Sequence, residues 1–227
     1  MSELRIITLS ELTAGTSHQQ EAVNLVAQRI TAGEVVIAPL ESSYIFLCDA
    51  FNQSAVAKIH TLRGDAPGTA CQVLIGSAAT LKGITQQLPD ALSKLADALW
   101  PGMLTLMVRP NTALHWDLGD GGELETFAVR VPDQDFVRAV ISKVGPVAIA
   151  SASMRGQGPA LSLDQTSALP EEISLYIDGG TFSSSKPSDV STVVAMTATD
   201  GVDCTRIGAI SLEELRKVLP TIGASHL

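Results

Sequence analysis

Hydroxyl groups and arginines recur in this 227-residue chain at places where they could hold an anion. Residues 150–159, Ala-Ser-Ala-Ser-Met-Arg-Gly-Gln-Gly-Pro, follow an apolar run, so Ser151, Ser153 and Arg155 gather where a strand would end. In α/β sheets that edge is where ligands usually sit, held by backbone N–H groups and side-chain donors. A plain Ser/Gly loop whose hydroxyls bond their own backbone would have the same composition. Arg130, in Ala128-Val129-Arg130-Val131-Pro132, and Ser191, heading Ser191-Thr192-Val193-Val194, put polar groups inside otherwise apolar strands, where burial is costly without a partner. Arg130 therefore wants an anion, either an internal carboxylate or a substrate carboxylate held in a bidentate fork. Arg206, in Arg206-Ile207-Gly208-Ala209-Ile210, poses the same choice.

Other chemistries have less to stand on. The histidines, His18, His60, His115 and His226, show no ligand-like spacing with one another or with Cys48, Cys71 and Cys204, so no zinc site is expected. An odd number of widely separated cysteines without a CxxC pair also fits no disulfide framework. No G-x-S-x-G elbow, G-x-G-x-x-G turn or G-x-x-x-x-G-K-S/T loop occurs, which removes the commonest signatures of a serine nucleophile and of two phosphate cradles.

Alternating helical and strand patterns must position these groups. Thr16 or Ser17 caps a helix running to about Ile30, with Ala22, Val23, Val26, Ala27 and Ile30 on one face and Gly33 as its stop. Residues 35–39 read as a buried strand, and a helix from Ser54 with Ala55, Val56, Ile59 and Leu62 inward ends at Gly64. Further strands are expected at 72–75, 104–108, 127–131, 147–150, 175–177, 191–194 and 205–207, and helices at 88–99 and 135–144. Ser211, with Glu214 three residues on, forms a capping box for a last helix. Between them, the polar stretch 183–189 reads as a mobile loop and a candidate lid. The fold class expected is α/β, a twisted mixed sheet flanked by helices, in a single domain over 1–227.

A formal net charge of −9 opposes non-specific attraction to nucleic acid, so any RNA contact needs a local basic surface. Apolar residues make up 45% of the chain but fall in short runs, which predicts no membrane span. The start, Met1-Ser2-Glu3-Leu4-Arg5, has no signal-peptide pattern, and a cytoplasmic setting is expected.

Five segments in order carry a resemblance: residues 100–106 (Trp-Pro-Gly-Met-Leu-Thr-Leu), Ala128 to Pro132, Ser151-Ala152-Ser153, Ser191 to Val194, and Arg206 to Ile210. Together they resemble the YrdC/YciO family, over a core of about 18–211. The resemblance implies a YrdC-like fold with a concave, positively lined cavity, first described as a double-stranded RNA-binding surface. It also implies synthesis of threonylcarbamoyl-adenylate from L-threonine, bicarbonate and ATP with Mg²⁺, for tRNA modification. By position, Ser42, Tyr44, Arg130 and Ser191 would bind the amino-acid substrate, and Arg63, Ser151, Ser153 and Arg206 the nucleotide. An RNA-binding or translation-associated relative with an altered pocket, or an anion-binding domain for another small molecule, are the alternatives.

The departures fall near the chemistry. Where the family has Lys-x-Arg, this chain has Arg63-Gly64-Asp65, and a carboxylate aimed at a triphosphate would oppose binding unless a metal or a nearby Arg neutralised it. Leu40 stands for a Thr, Ile45-Phe46 for Gly-Leu, and Ser153 for an Asn, which predicts a less polar mouth.

Overall fold

A computed structural model describes residues 5–12, 14–123, 125–167, 173–183, 189–197 and 201–224. In chain order the elements are β1 (Arg5–Thr8), α1 (Ser17–Thr31), β2 (Val36–Pro39), β3 (Tyr44–Asp49), α2 (Gln53–Arg63), β4 (Gln72–Leu74), α3 (Leu81–Ile84), α4 (Asp90–Leu99), β5 (Leu104–Val108) and β6 (Phe127–Arg130). They continue with α5 (Asp135–Val144), β7 (Val147–Ser151), β8 (Leu175–Asp178), β9 (Thr192–Met196), β10 (Val202–Arg206), α6 (Leu212–Val218) and β11 (Gly223–Ala224). The strands form one 11-stranded sheet in the order β1-β8-β2-β3-β7-β4-β6-β5-β9-β10-β11. Pairing is mixed: β4 runs parallel to β6 and β5 to β9, while β3 with β7 and β5 with β6 are antiparallel.

Local chemistry sets most boundaries. The Thr16 hydroxyl accepts the Gln19 N–H at the head of α1. Asn52 does the same for Ala55 in α2, so that helix begins a residue earlier than Ser54. Gly64 closes α2 in the left-handed region, which glycine enters without a steric penalty. Ser211 and Glu214 form the expected reciprocal box. The unanticipated elements are β1, β3, α3 and β11. Three of them span four residues or fewer and carry too little periodicity to be read, whereas β3 is an apolar run overlooked between two polar turns.

Two apolar clusters lie on opposite faces. On one, α1 and α5 cover Val36, Ala38, Ile45, Leu47, Leu74, Val147 and Ile149. The other packs α2, α4 and α6 against Phe46, Val73, Leu104, Leu106, Phe127, Val129 and Cys204. Because side chains alternate along a strand, Thr105 and Arg130 must lie on the opposite face from Leu104, Leu106 and Val129. Register puts Arg130 beside Leu74, and Thr105 and Arg206 beside Val193. The face that α1 and α5 cover on one wing of the sheet is thus polar on the other. Ser151, two residues after Ile149, stands at the boundary.

Leu40 and Ile45 belong to the cluster beneath α1 and α5, 7% and 4% exposed, and Phe46 is fully buried on the other face. The expected apolar mouth is therefore corrected: these residues fill core. Removing such a side chain should cost about 3 kcal/mol. For Ile30→Ala, at a fully buried position in α1, urea unfolding should show that loss as a lower midpoint with an unchanged slope.

Candidate functional site

Arg130 ends β6, and its fork meets a carboxylate from the turn between β2 and β3. Nη1 and Nη2 donate to Glu41 Oε1 and Oε2 at 2.9 and 3.0 Å, and Asp133 N donates to the same carboxylate at 2.8 Å. The Arg130 side chain is 5% exposed, so of the two anions open to it the internal one is present. Its Nε is buried and has no partner.

Arg206, at the end of β10, is held differently. Its Nε and Nη2 donate to the Ser191 carbonyl at 3.1 and 2.9 Å, and Nη2 also reaches Ser191 Oγ at 3.0 Å. No carboxylate neutralises it among the described residues. Desolvation and the neighbouring Arg130 charge lower its pKa from the usual arginine value, which places two guanidinium groups in one field. The loop after β10 is fixed by Thr192, whose buried hydroxyl donates to Ile210 O and accepts from Gly208 N and Ile210 N. At Gly208 a Cβ would lie 2.2 Å from the Val190 carbonyl, so the loop closes only around glycine.

The serine loop after β7 is braced by Arg63. Its Nη1 donates to the carbonyls of Ser151 and Ser153, while Ser151 Oγ and Ser153 Oγ bond each other at 2.8 Å. Arg63 Nε donates to Asp65 Oδ2 at 2.9 Å, and His60 Nδ1 approaches the same oxygen at 2.9 Å. The Asp65 side chain is 3% exposed. Asp65 therefore points inward at two basic side chains and is covered from solvent. Burial works to raise its pKa, but the hydrogen bonds from His60 and Arg63 outweigh it and hold the carboxyl below its usual value.

Ser42 Oγ donates to Asp189 O at 2.7 Å, which ties the β2–β3 turn to the residue before Val190. Residues 184–188 of the candidate lid lie outside the described residues. Tyr44 is fully buried, its hydroxyl 3.0 Å from Asp178 Oδ1, 2.7 Å from Gly180 O and accepting from Gly179 N at 2.9 Å. Its pKa is pushed up to about 12, mainly by burial. The structure thus gathers Arg130, Ser191 and Arg206 in one cluster and Arg63, Ser151 and Ser153 in a second, with Ser42 on the turn beside Glu41. Tyr44 stands behind them as a support for the loop after β8.

Spacing hid some members of the site. Glu41 lies 89 positions from Arg130, and no local pattern marks it as the partner. Cys71 Sγ lies 3.4 Å from His60 Nε2, making a Cys–His–Asp arrangement with Asp65. The thiol is 2% exposed and pushed up to about 12 by burial and the Asp65 charge, which disfavours the thiolate that a nucleophile needs. At Gly119, φ +108°, a Cβ would come within 2.0 Å of His60 Nε2, so this packing also demands glycine.

No group of three or more His, Cys, Asp or Glu side chains suited to a metal occurs among the described residues. Glu41 and Asp65, the carboxylates nearest the arginines, are committed to Arg130 and to Arg63 with His60. A protein-held Mg²⁺ therefore does not fit these residues. Two grooves lie elsewhere, one of about 540 Å³ beside Arg109 and Trp116 and one of about 590 Å³ beside Leu81 and Asp97, and neither is lined by an expected site residue. No helix among the described residues is long and apolar enough to cross a membrane.

Asp65→Asn should lower stability by about 1–3 kcal/mol, by leaving Arg63 and His60 without their shared anion. Because the folded pKa lies below the ordinary 3.8, the carboxylate's contribution is complete above that value and lost as pH falls through the lower folded one. Urea midpoints of the two proteins should differ by a constant amount from pH 7 to about 5 and converge in stronger acid. A difference that persists unchanged at pH 2 would count against the ion pair.

The chain and its fold have counterparts among known proteins. The Sua5/YciO/YrdC family model, described as telomere recombination, matches residues 28–208. A Mycobacterium tuberculosis protein provisionally assigned as a threonylcarbamoyl-AMP synthase is 35% identical over 198 residues, 86% of this chain and 88% of its own. The threonylcarbamoyl-AMP synthase of Mus musculus is 28% identical over 204 residues, 88% of this chain and 71% of its own. Among solved structures, P. abyssi Sua5 complexed with L-threonine has a TM-score of 0.82 at 25% identity, over 97% of this chain. The chain spans 62% of the length of that structure. E. coli YciO shares the fold, with a TM-score of 0.75 at 19% identity over 95% of this chain and all of its own. A family model that spans most of the sequence, and a relative 35% identical over 86% of it, establish that this chain belongs to the Sua5/YciO/YrdC family.

Proposed function

We propose that this chain is a threonylcarbamoyl-AMP synthase, acting in the cytoplasm on L-threonine, bicarbonate and ATP in the service of tRNA modification. The threonine amine and bicarbonate give a carbamate with loss of water. A carbamate oxygen then attacks the α-phosphorus, and the bond to the β-phosphate side breaks to release pyrophosphate. Every reactant carries negative charge, so the protein's task is to place them and to offset that charge.

The observation that carries this reading is the charge balance of the polar face. Arg63 is offset by Asp65 and Arg130 by Glu41, while among the described residues Arg206 has only the oxygens of Ser191. One positive charge is left beside Arg130, and a bound anion would offset it. Arg206 is exposed, so an anion can reach it from solvent. Arg130 adds the unpartnered Nε, the site at which a substrate carboxylate would satisfy a buried donor. Since Nε is shielded from solvent, such a carboxylate has to part the side chains around it.

In this reading Arg130 and Ser191 hold the amino acid, with Ser42 fixing the turn that carries Glu41 and Tyr44 holding the loop beyond β8. Arg206, Ser151 and Ser153 meet the nucleotide, and Arg63 holds the serine loop in shape. Mg²⁺ enters chelated to the phosphates, as it commonly does where a protein offers few carboxylates. Double-stranded RNA would have to draw on the same arginines, two of which are already neutralised internally, so the small-molecule reaction is preferred.

Purified protein given ATP, Mg²⁺, bicarbonate and labelled threonine should release threonylcarbamoyl-adenylate and pyrophosphate. No turnover above a buffer blank would sink the proposal. Arg206→Ala, which removes the unneutralised charge, should cut kcat/KM for ATP by about 10- to 100-fold, in line with the loss of one charge-assisted contact.

A further inference from the structure

Thr105 lies in β5, is 2% exposed, and belongs to none of the groups named so far as binding substrate. Gln72 Nε2 donates to its hydroxyl oxygen at 3.1 Å, and that hydroxyl donates in turn to Ser191 Oγ at 2.8 Å. Ser191 Oγ also receives Arg206 Nη2 at 3.0 Å. A hydroxyl oxygen has two acceptor positions and one proton. With both positions on Ser191 filled, the remaining corner of the oxygen carries the proton, and Ser191 can act toward a ligand only as a donor.

We infer that Thr105 is a positioning residue, which with Gln72 and Arg206 fixes Ser191 as a hydrogen-bond donor to an anionic oxygen of the substrate. The inference rests on the proposed synthase reading. It adds a direction to a contact that position alone had assigned. Buried hydroxyl chains of this kind are oriented by their terminal donor, and here that donor is the Gln72 amide. A serine free to rotate would spend part of its time offering a lone pair to an anion, which repels it. The relay removes that option before the ligand arrives, so less ordering remains to be done on binding.

Three variants test the relay, each compared with the wild type by calorimetric titration of L-threonine and of ATP and by steady-state kinetics. Thr105→Val breaks the chain at constant volume, and Thr105→Ser keeps the hydroxyl. Gln72→Glu replaces the amide donor with an acceptor, which draws the Thr105 proton toward itself and turns the Ser191 proton inward. Thr105→Val and Gln72→Glu should weaken binding of one of the two ligands by about tenfold, the loss of one hydrogen bond to a charged group. KM should rise with it while kcat stays within about twofold. The ligand affected identifies the oxygen that Ser191 meets, a carboxylate for threonine or a phosphate for ATP. Thr105→Ser should restore binding, which a role confined to core packing does not predict.

Wild-type affinity in both Thr105→Val and Gln72→Glu would overturn the relay and leave the synthase reading standing. Loss of binding in Thr105→Val that Thr105→Ser fails to restore would also overturn it. A wild type that binds neither ligand would overturn both. Should Thr105→Val fail to fold, Gln72→Glu carries the test, with its melting temperature measured beside its affinity.

Discussion

Burying charge on one wing of a sheet, beside a face that α1 and α5 keep apolar, is the constraint from which the site follows. Taking a guanidinium or a carboxylate out of water costs several kcal/mol, and the cost is recovered only when its partners are placed well. The Arg130–Glu41 pair meets that condition with two parallel bonds and a backbone N–H on the same carboxylate. It thereby joins the β2–β3 turn to the end of β6, elements that are not neighbours in the sheet. Ser42, one residue along, joins the same turn to the segment leading into β9.

The same accounting explains how a carboxylate is carried at Asp65. Asp65 would oppose a nucleotide if it faced one. Instead it is covered, and it binds Arg63 and His60, so Arg63 can hold the carbonyls of Ser151 and Ser153. Leu40, Ile45 and Phe46 likewise alter the core and not the polar face. At Leu40, Ile45, Phe46 and Asp65, what looks chemical along the sequence is structural in space.

Arg206 then stands out beside Arg130 and Arg63 as an arginine with no carboxylate of its own among the described residues. Its neighbour Ser191 is oriented from behind by Thr105 and Gln72, and its loop is closed by Thr192 around Gly208. An unneutralised charge, a directed hydroxyl and a loop that admits no Cβ form a connected unit.

Much of this was legible in the residues. The helix over α5 fell where its period placed it, the Ser211 box capped α6, and Ser191, Arg130 and Arg206 declared themselves as polar groups set among apolar ones. These signals are local, because helical period, strand alternation and capping involve residues a few positions apart. The strand β3 was missed although its apolar run was visible, and β1, α3 and β11 are too short to announce themselves. Pairing of charges is a different matter. Nothing in a linear order says that Arg130 turns to Glu41, that Asp65 turns inward to His60, or that Thr105 stands behind Ser191. The sequence determined which groups were present and which strands bore them, whereas only the folded sheet decided which charges cancel and which is left without a carboxylate. The reason is physical: electrostatic balance depends on separations of a few ångströms between residues tens of positions apart, and those separations exist only once the sheet is assembled.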